Sequence, residues 1–436
     1  MQKRKVWEKL AQWKNRAEKK ALCIIGARQV GKTTLVREFG GENYDNFIEI
    51  NFMTDPKAAK IFSENMDADL IVKSLTEYAE RPLEPRRTLI LFDEIQECPN
   101  VRAAVKHLVE DGRFDCVETG ALLRVEFPEE NFTRSDFEEI LYMYPLDFQE
   151  FLFANGVGQS TVDYLWDCFK KGIPVSEDVH NSMMKLFYQY VIVGGMPQIV
   201  KTFVMTHDID RVFAEQKEIL RSYYLDIAKY APSEEKLRIK KSYYNVPLRL
   251  GGKSRRFILT KMKGRLSQYE NALKWLADAG TVMSCCNVSE PQPPFDGNER
   301  NAFFKLFMTD AGLLCAAYET DIRHEILKGN LEIDSGGIVE NIVAQEIKSK
   351  GCELNYFFTK KYGEIHFVLQ RGEKTELMEI KLGGNFRRFG AVDKVMAVEE
   401  WKFGGGYILC KGNVEIRGEV KLIPLYMSMF YGAEAM

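Results

Sequence analysis

Gly26-Ala-Arg-Gln-Val-Gly-Lys-Thr33 is a complete G-x-x-x-x-G-K-[ST] loop. It follows the apolar run Ala21-Leu-Cys-Ile-Ile25 and opens Thr34-Leu-Val-Arg-Glu-Phe39, which ends in Gly40-Gly41. Strand, loop and helix form the context in which this motif has a physical meaning. Gly26 and Gly31 let the backbone turn its N–H groups inward around phosphate oxygens. Lys32 then reaches the β- and γ-phosphates, and the Thr33 hydroxyl ligates Mg²⁺. Gly26, Ala27, Arg28, Gln29, Val30, Gly31, Lys32, Thr33 and Thr34 are thus the expected nucleotide-binding residues, with ATP and Mg²⁺ as cofactors.

The complement to this loop lies sixty-one residues past Lys32, at the end of the buried-type run Thr88-Leu-Ile-Leu-Phe92. Asp93 is expected at that strand tip as the second Mg²⁺ ligand, through water. Glu94 is expected to polarise the water that attacks the γ-phosphate. Alone, an Asp-Glu pair is an ordinary solvated strand end. Beside a phosphate loop it reads as the second half of an ATPase site. Thr119, ending Cys116-Val-Glu-Thr119 before Gly120, is a candidate γ-phosphate sensor, with a plain strand-ending Thr as the alternative.

The chain has 436 residues, too many for one ordinary core, and its 45% hydrophobic share is ample for several. The net charge of -3 carries no partner signal, so any nucleic-acid signal must be local. Nine Cys without a C-x-x-C pair, and five His, argue against a zinc site or a disulfide framework. Reduced thiols in the cytoplasm are the expectation. No apolar run reaches membrane-spanning length, and Met1-Gln-Lys-Arg-Lys-Val-Trp-Glu-Lys-Leu lacks a signal-peptide core. Val6, Trp7, Leu10 and Ala17 share one helical face, expected to pack on the ATPase sheet, with a membrane-surface helix as the alternative.

Strands expected at 21–25, 47–52, 88–93, 115–119 and 139–144 alternate with helices over residues 1–152, which predicts a parallel sheet covered on both faces. Residues 153–235 read as a helical lid, interrupted by Gly194-Gly-Met-Pro197. Residues 236–265 then hold eleven Lys or Arg and no acid. Lys253, Arg255, Arg256, Lys261, Lys263 and Arg265 are the expected nucleic-acid patch within it. The alternative is a solvated or interdomain cationic surface. Helices followed by the strand-like Thr281–Val288 predict a winged-helix module over 236–302. The Pro- and Gly-rich Ser289–Asn298 reads as its linker to a last domain, 303–436. There, Glu340 lies on an expected helix 338–349. Glu364 and His366 fall on one strand face, Glu379 and Lys381 on another. Carboxylates with a Lys could hold a divalent metal against a phosphodiester.

In combination these blocks resemble a large family of bacterial ATP-binding proteins. Its members join an AAA-type ATPase domain to a C-terminal domain of unknown function with a restriction-endonuclease-like fold. The resemblance is carried by the phosphate loop and Leu91-Phe-Asp-Glu-Ile-Gln96, then by Met143-Tyr-Pro-Leu-Asp-Phe-Gln-Glu-Phe-Leu152 and Gly194-Gly-Met-Pro197. It continues through Ala272–Gly280, Lys305-Leu-Phe-Met-Thr-Asp-Ala-Gly-Leu-Leu314, Glu340-Asn-Ile-Val-Ala344 and Glu379-Ile-Lys381. It implies a P-loop sheet of the AAA type, with an extra strand between the loop strand and the Asp93 strand. The nuclease-like α/β domain it implies would follow the helical lid and winged-helix module read from the sequence. Two departures stand out: His366 replaces the family's central metal-binding Asp, and Ala121 replaces a frequent Ser. The resemblance therefore implies a degenerate nuclease site of Glu340, Glu364, His366, Glu379 and Lys381. An arginine finger stays open among Arg87, Arg113 and Arg134. The leading expectation is an ATP-hydrolysing switch or motor engaging nucleic acid, with oligomerisation and no membrane contact. The competing readings are an ATP-gated protein-interaction scaffold and an active ATP-regulated nuclease.

Overall fold

The computed structural model describes residues 4–62, 67–121, 136–250, 257–258, 267–295, 297–318, 322–331, 336–384 and 390–432. They fall into two compact units. The smaller runs to Tyr144 and includes Asp278–Gly280. The larger comprises Pro145–Ala277 and Thr281–Met436.

The smaller unit is a five-stranded sheet: β1 (Ala21–Ile25), β2 (Asn46–Asn51), β3 (Thr88–Asp93), β4 (Asp115–Gly120) and β5 (Glu138–Tyr142), in the order β2-β3-β4-β1-β5. Every pairing is parallel. All residues of β1 and β3 are buried, as continuous apolar runs in a two-sided parallel sheet should be. β4 lies between β1 and β3, which is the extra strand that the resemblance implied. The helices are α1 (Val6–Lys14), α2 (Lys32–Asn43), α3 (Ala68–Ala79) and α4 (Val101–Asp111). α1 buries Trp7, Leu10 and Trp13, and the Trp7 ring meets Phe39 of α2 edge-on at 5.2 Å. Ala17, expected on the same face, lies beyond the end of α1.

The larger unit opens with helices α5 (Phe148–Ala154), α6 (Gln159–Lys171), α7 (Glu177–Val193), α8 (Pro197–Thr206), α9 (Ile209–Tyr230), α10 (Lys236–Leu250) and α11 (Ser267–Asp278). Its mixed sheet has nine strands: β6 (Phe257–Ile258), β7 (Val282–Val288), β8 (Glu299–Met308), β9 (Asn355–Thr359), β10 (Gly363–Arg371), β11 (Lys374–Lys381), β12 (Phe403–Cys410), β13 (Glu415–Arg417) and β14 (Val420–Pro424). Their order is β13-β14-β12-β11-β10-β9-β7-β8-β6. The remaining helices are α12 (Ala311–Ala317), α13 (Arg323–Leu327), α14 (Gly336–Ser349) and α15 (Gly390–Met396).

Two sequence expectations change here. The strand pair read as a wing is not free-standing, because β7 pairs antiparallel with β8 and parallel with β9. The expected boundary at 302 falls inside β8. The Ser289–Asn298 stretch is a hairpin loop, not an interdomain linker: Ser289 N–H donates to Asn298 O at 2.9 Å, and Phe295 is buried in the sheet's core. Proline and glycine mark a chain reversal and a linker alike. The buried Phe295 is what separates the two cases.

α14 organises the larger unit. It buries every residue from Gly337 to Ile347, including Glu340, Asn341, Gln345 and Glu346. Asn341 accepts from Met308 N–H at 2.7 Å and donates to Met308 O at 2.8 Å. Gln345 accepts from Ala311 N–H at 3.1 Å and donates to the Tyr190 hydroxyl at 2.9 Å. Glu346 accepts from Phe148 N–H at 2.7 Å, at the start of α5. A hydrogen bond to a charged group of this kind is worth about 1.5–3 kcal/mol. Gly194-Gly195 joins the same knot: Gly195 N–H donates to Asp310 at 2.6 Å, and Leu146 N–H to Gly195 O at 2.7 Å. A Cβ on Gly195 would lie 2.0 Å from Leu146 O, so only glycine fits. The stretches around Leu146, Gly195, Asp310 and Asn341, which lacked a chemical meaning in the sequence, are thus joined by hydrogen bonds.

Candidate functional site

Sheet register aligns the tips of three strands in the smaller unit. Asn51 is opposite Asp93, and Asp93 is opposite Thr119. On β1, Ile25 pairs with Gly120 and runs into the loop Gly26–Thr33. A Cβ on Gly26 would meet Met143 O at 2.1 Å, so this turn needs a glycine. Gly31 has φ 95° and caps α2 without any side-chain hydrogen bond. The first N–H groups of α2 are therefore offered to a ligand at the positive end of the helix dipole. Ala27 and Val30 are buried and anchor the loop, while Gln29 and Thr34 are exposed.

Lys32 is buried, and its Nζ donates to Gly26 O and Ala27 O, both at 2.9 Å. Both partners are neutral carbonyls. Burial pulls the ammonium down to about 8, with Glu94 and Asp93 acting against it. Asp93 accepts from the Thr33 hydroxyl at 3.0 Å and from Asn51 Nδ2 at 2.7 Å. The Thr119 hydroxyl also donates to it. Thr119, the expected sensor, is therefore committed to holding Asp93. Glu94 has φ 57°, a left-handed conformation that strains a non-glycine residue, and its Oε2 accepts from Gln96 Nε2 at 2.6 Å. Gln96 is buried, and its Oε1 has no hydrogen-bond partner among the described residues.

Asn51 and Gln96 are members of this site that the sequence did not reveal. Gln96 stood in the Leu91–Gln96 block, two residues past the expected base. Asn51 is a polar end to an otherwise ordinary strand, and only the strand order puts it beside Asp93. The residues fit a nucleotide with a divalent cation: a helix N-terminus without a side-chain cap, a Lys that hydrogen-bonds to no acid among the described residues, and two hard oxygen ligands, Thr33 and Asp93, in contact.

In the larger unit, Glu340, Glu364 and His366 meet, but around a residue that the sequence did not single out. Lys305 on β8 is fully buried, with its Nζ 3.1 Å from Glu340 Oε2 and 2.6 Å from Glu364 Oε1. Burial pulls Lys305 down, but the two carboxylates outweigh it and hold the ammonium above its ordinary value. Burial pushes Glu364 up, and Lys305 outweighs that too, leaving it below the usual range. His366 Nε2 lies 3.2 Å from Glu340 Oε1, and Nδ1 accepts from Ile380 N–H at 3.2 Å. Glu379 and Lys381 pair with each other at 2.9 Å. No group of three or more His, Cys, Asp or Glu suited to a metal occurs among the described residues.

Of the arginine-finger candidates, Arg113 pairs with Asp69 and Asp111, and Arg87 with Asp45 and Glu84. Arg134 lies outside the described residues, as do Lys253, Arg255, Arg256, Lys261, Lys263 and Arg265. The described part of the basic run is α10, which carries Lys236, Arg238, Lys240, Lys241 and Arg249. All nine cysteines are free thiols. Among the described residues no helix is long and apolar enough to cross a membrane.

The fold and the loop define the smaller unit as an AAA-type P-loop domain, and residues 18–152 match the AAA domain family. Residues 184–324 match a domain of unknown function (DUF8612). No curated protein matches the chain. Among solved structures, a Walker-type ATPase of Pyrococcus abyssi is 15% identical, covering 71% of this chain and 94% of its own, at a TM-score of 0.39. Cdc6p from Pyrobaculum aerophilum is 14% identical over 74% of this chain and 92% of its own, at 0.24. The Aeropyrum pernix ORC1 protein, solved in complex with DNA, is 14% identical over 72% and 90%, at 0.26. TM-scores this low mark distant likenesses only.

Proposed function

We propose that the AAA-type domain binds ATP with Mg²⁺ and hydrolyses it, and that turnover acts on the larger unit as a switch. The observation that carries this reading is the row Asn51, Asp93 and Thr119 beneath a P-loop whose Lys32 contacts only carbonyls. Lys32 leaves Gly26 O and Ala27 O for phosphate oxygens, while the α2 N–H groups cradle the same anion. Mg²⁺ between Thr33 and Asp93 would neutralise phosphate charge. Asn51 and Thr119 orient the Asp93 carboxylate. Glu94 takes the proton of the attacking water, and Gln96 Nε2 holds the Glu94 carboxylate in place.

The partner in this reading is nucleic acid, engaged through the acid-free basic run 236–265, with the C-terminal nuclease-like domain catalytically degenerate. Eleven cations without an acid support it in a chain whose net charge is -3. The test is ATP turnover by wild type and Glu94→Gln, each with and without DNA at several salt concentrations. Stimulation that falls steeply with salt, and is lost in Arg255→Glu/Arg256→Glu, is expected. Turnover indifferent to DNA would favour the protein-interaction scaffold. Unimpaired turnover by Glu94→Gln would remove the base assignment.

A further inference from the structure

The cluster around Lys305 departs from what a metal-dependent phosphodiesterase needs. Divalent-metal chemistry requires carboxylate oxygens that open toward a shared cation position. Here the gap between Glu340 and Glu364 is filled by an ammonium, at 3.1 and 2.6 Å. The same Nζ lies 4.9 Å from the centroid of the Tyr356 ring, so its remaining side meets an aromatic face. The side chains of Lys305 and Glu340 are both fully buried. The second oxygen of Glu340 is engaged as well, by His366 Nε2 at 3.2 Å.

His366 offers a metal no ligand atom. Its Nδ1 accepts a hydrogen bond from Ile380 N–H, so the ring proton sits on Nε2 and points at Glu340. Neither ring nitrogen retains a lone pair for a cation. The elements joined are β8, through Lys305, α14, through Glu340, and β10, through Glu364 and His366.

We propose that the Lys305 ammonium is the resident cation of this site, making the Glu340–Glu364–His366 cluster a metal-free internal lock between β8, β10 and α14. The inference is independent of the nucleotide reading, because every measurement below is made without nucleotide. The full chain is titrated with Mn²⁺, bound metal is counted by electron paramagnetic resonance, and thermal unfolding is recorded alongside. Wild type and Glu364→Gln should bind the same amount of Mn²⁺, and wild-type melting should not respond to it. Lys305→Met leaves the buried Glu340 carboxylate facing the partly buried Glu364 carboxylate. That variant should melt at lower temperature, Mn²⁺ should raise the melting point part of the way back, and adding Glu364→Gln should cancel the rescue. Mn²⁺ that binds wild type and is lost in Glu364→Gln overturns the proposal. A Lys305→Met chain that melts like wild type and ignores Mn²⁺ overturns it too. Should Lys305→Met fail to fold, the wild-type and Glu364→Gln counts decide alone.

Discussion

Lys32 and Lys305 are both buried lysines near two carboxylates, and the protein treats them in opposite ways. Lys32 bonds only to loop carbonyls, and burial pulls it down to about 8. Lys305 touches Glu340 and Glu364 directly and is held above its ordinary value. The first hydrogen-bonds to no carboxylate among the described residues, which suits the phosphate partner proposed for it. The second already has its anions, and so is prepared for nothing but staying in place. A buried lysine therefore signals ligand binding or architecture according to what its ammonium already touches.

Exchanging the two lysines for neutral residues is the sharpest way to break this contrast. Lys32→Ala should abolish nucleotide binding and turnover while leaving the fold intact, because it removes a desolvated charge that Glu94 and Asp93 offset only in part. Equilibrium nucleotide binding and thermal unfolding measured together check both halves. Glu94→Gln belongs beside it: nucleotide should still bind, with turnover slowed by about 10² to 10⁴. Lys305→Met should do the reverse, leaving intrinsic nucleotide binding in place but destabilising the larger unit by about 3–5 kcal/mol. Denaturant unfolding reads the loss. Equal stability losses from the two lysine variants would erase the distinction.

A smaller effect concerns Asn51. Its amide donates to Asp93 at 2.7 Å, and a bond to a charged group is worth about 1.5–3 kcal/mol. Asn51→Ala should cut turnover by about tenfold or more, most strongly at limiting Mg²⁺. A Mg²⁺ titration of the rate checks this, and an unchanged titration would leave Asp93 positioned by Thr33 and Thr119 alone.

The smallest effect is on pH. Lys32 has its folded value lowered from 10.5 to about 8, chiefly by burial. The folded state then carries a penalty for the charged form that is fully present below about pH 8 and fades as pH rises toward the unfolded value. The nucleotide-free domain should accordingly gain stability between those values. Phosphate binding restores the charge, so association above pH 8 should take up a proton, and affinity should fall by up to about tenfold per pH unit. Calorimetry in buffers of different ionisation enthalpy measures that uptake.

The smaller unit was largely readable because its signals are local. A run buried on both faces, such as Thr88–Phe92, has one fitting environment, and Gly26–Thr33 encodes a backbone conformation within eight residues. The larger unit was misread where signals are shared between alternatives. Ser289–Asn298 has a linker's composition yet closes a hairpin, and the strand pair beside it joins a nine-stranded sheet in place of a wing. Lys305 opens the stretch Lys305–Leu314, whose sequence gives its ammonium no role. Its partners come from α14 and β10, thirty-five and fifty-nine positions further along.

From sequence alone come the phosphate loop, the Asp93-Glu94 strand tip and the parallel sheet around them. Each depends on neighbours in the chain or on one buried face, which composition and period record directly. Tertiary structure alone decided that Asn51 and Thr119 converge on Asp93, and that Gly195, Asp310, Asn341, Gln345 and Glu346 tie scattered blocks into one knot. It also decided that Lys305 closes the carboxylate pocket of the larger unit. Those outcomes turn on strand order and long-range burial, where a polar side chain must find a partner from wherever the fold brings one, and sequence spacing carries no record of that choice.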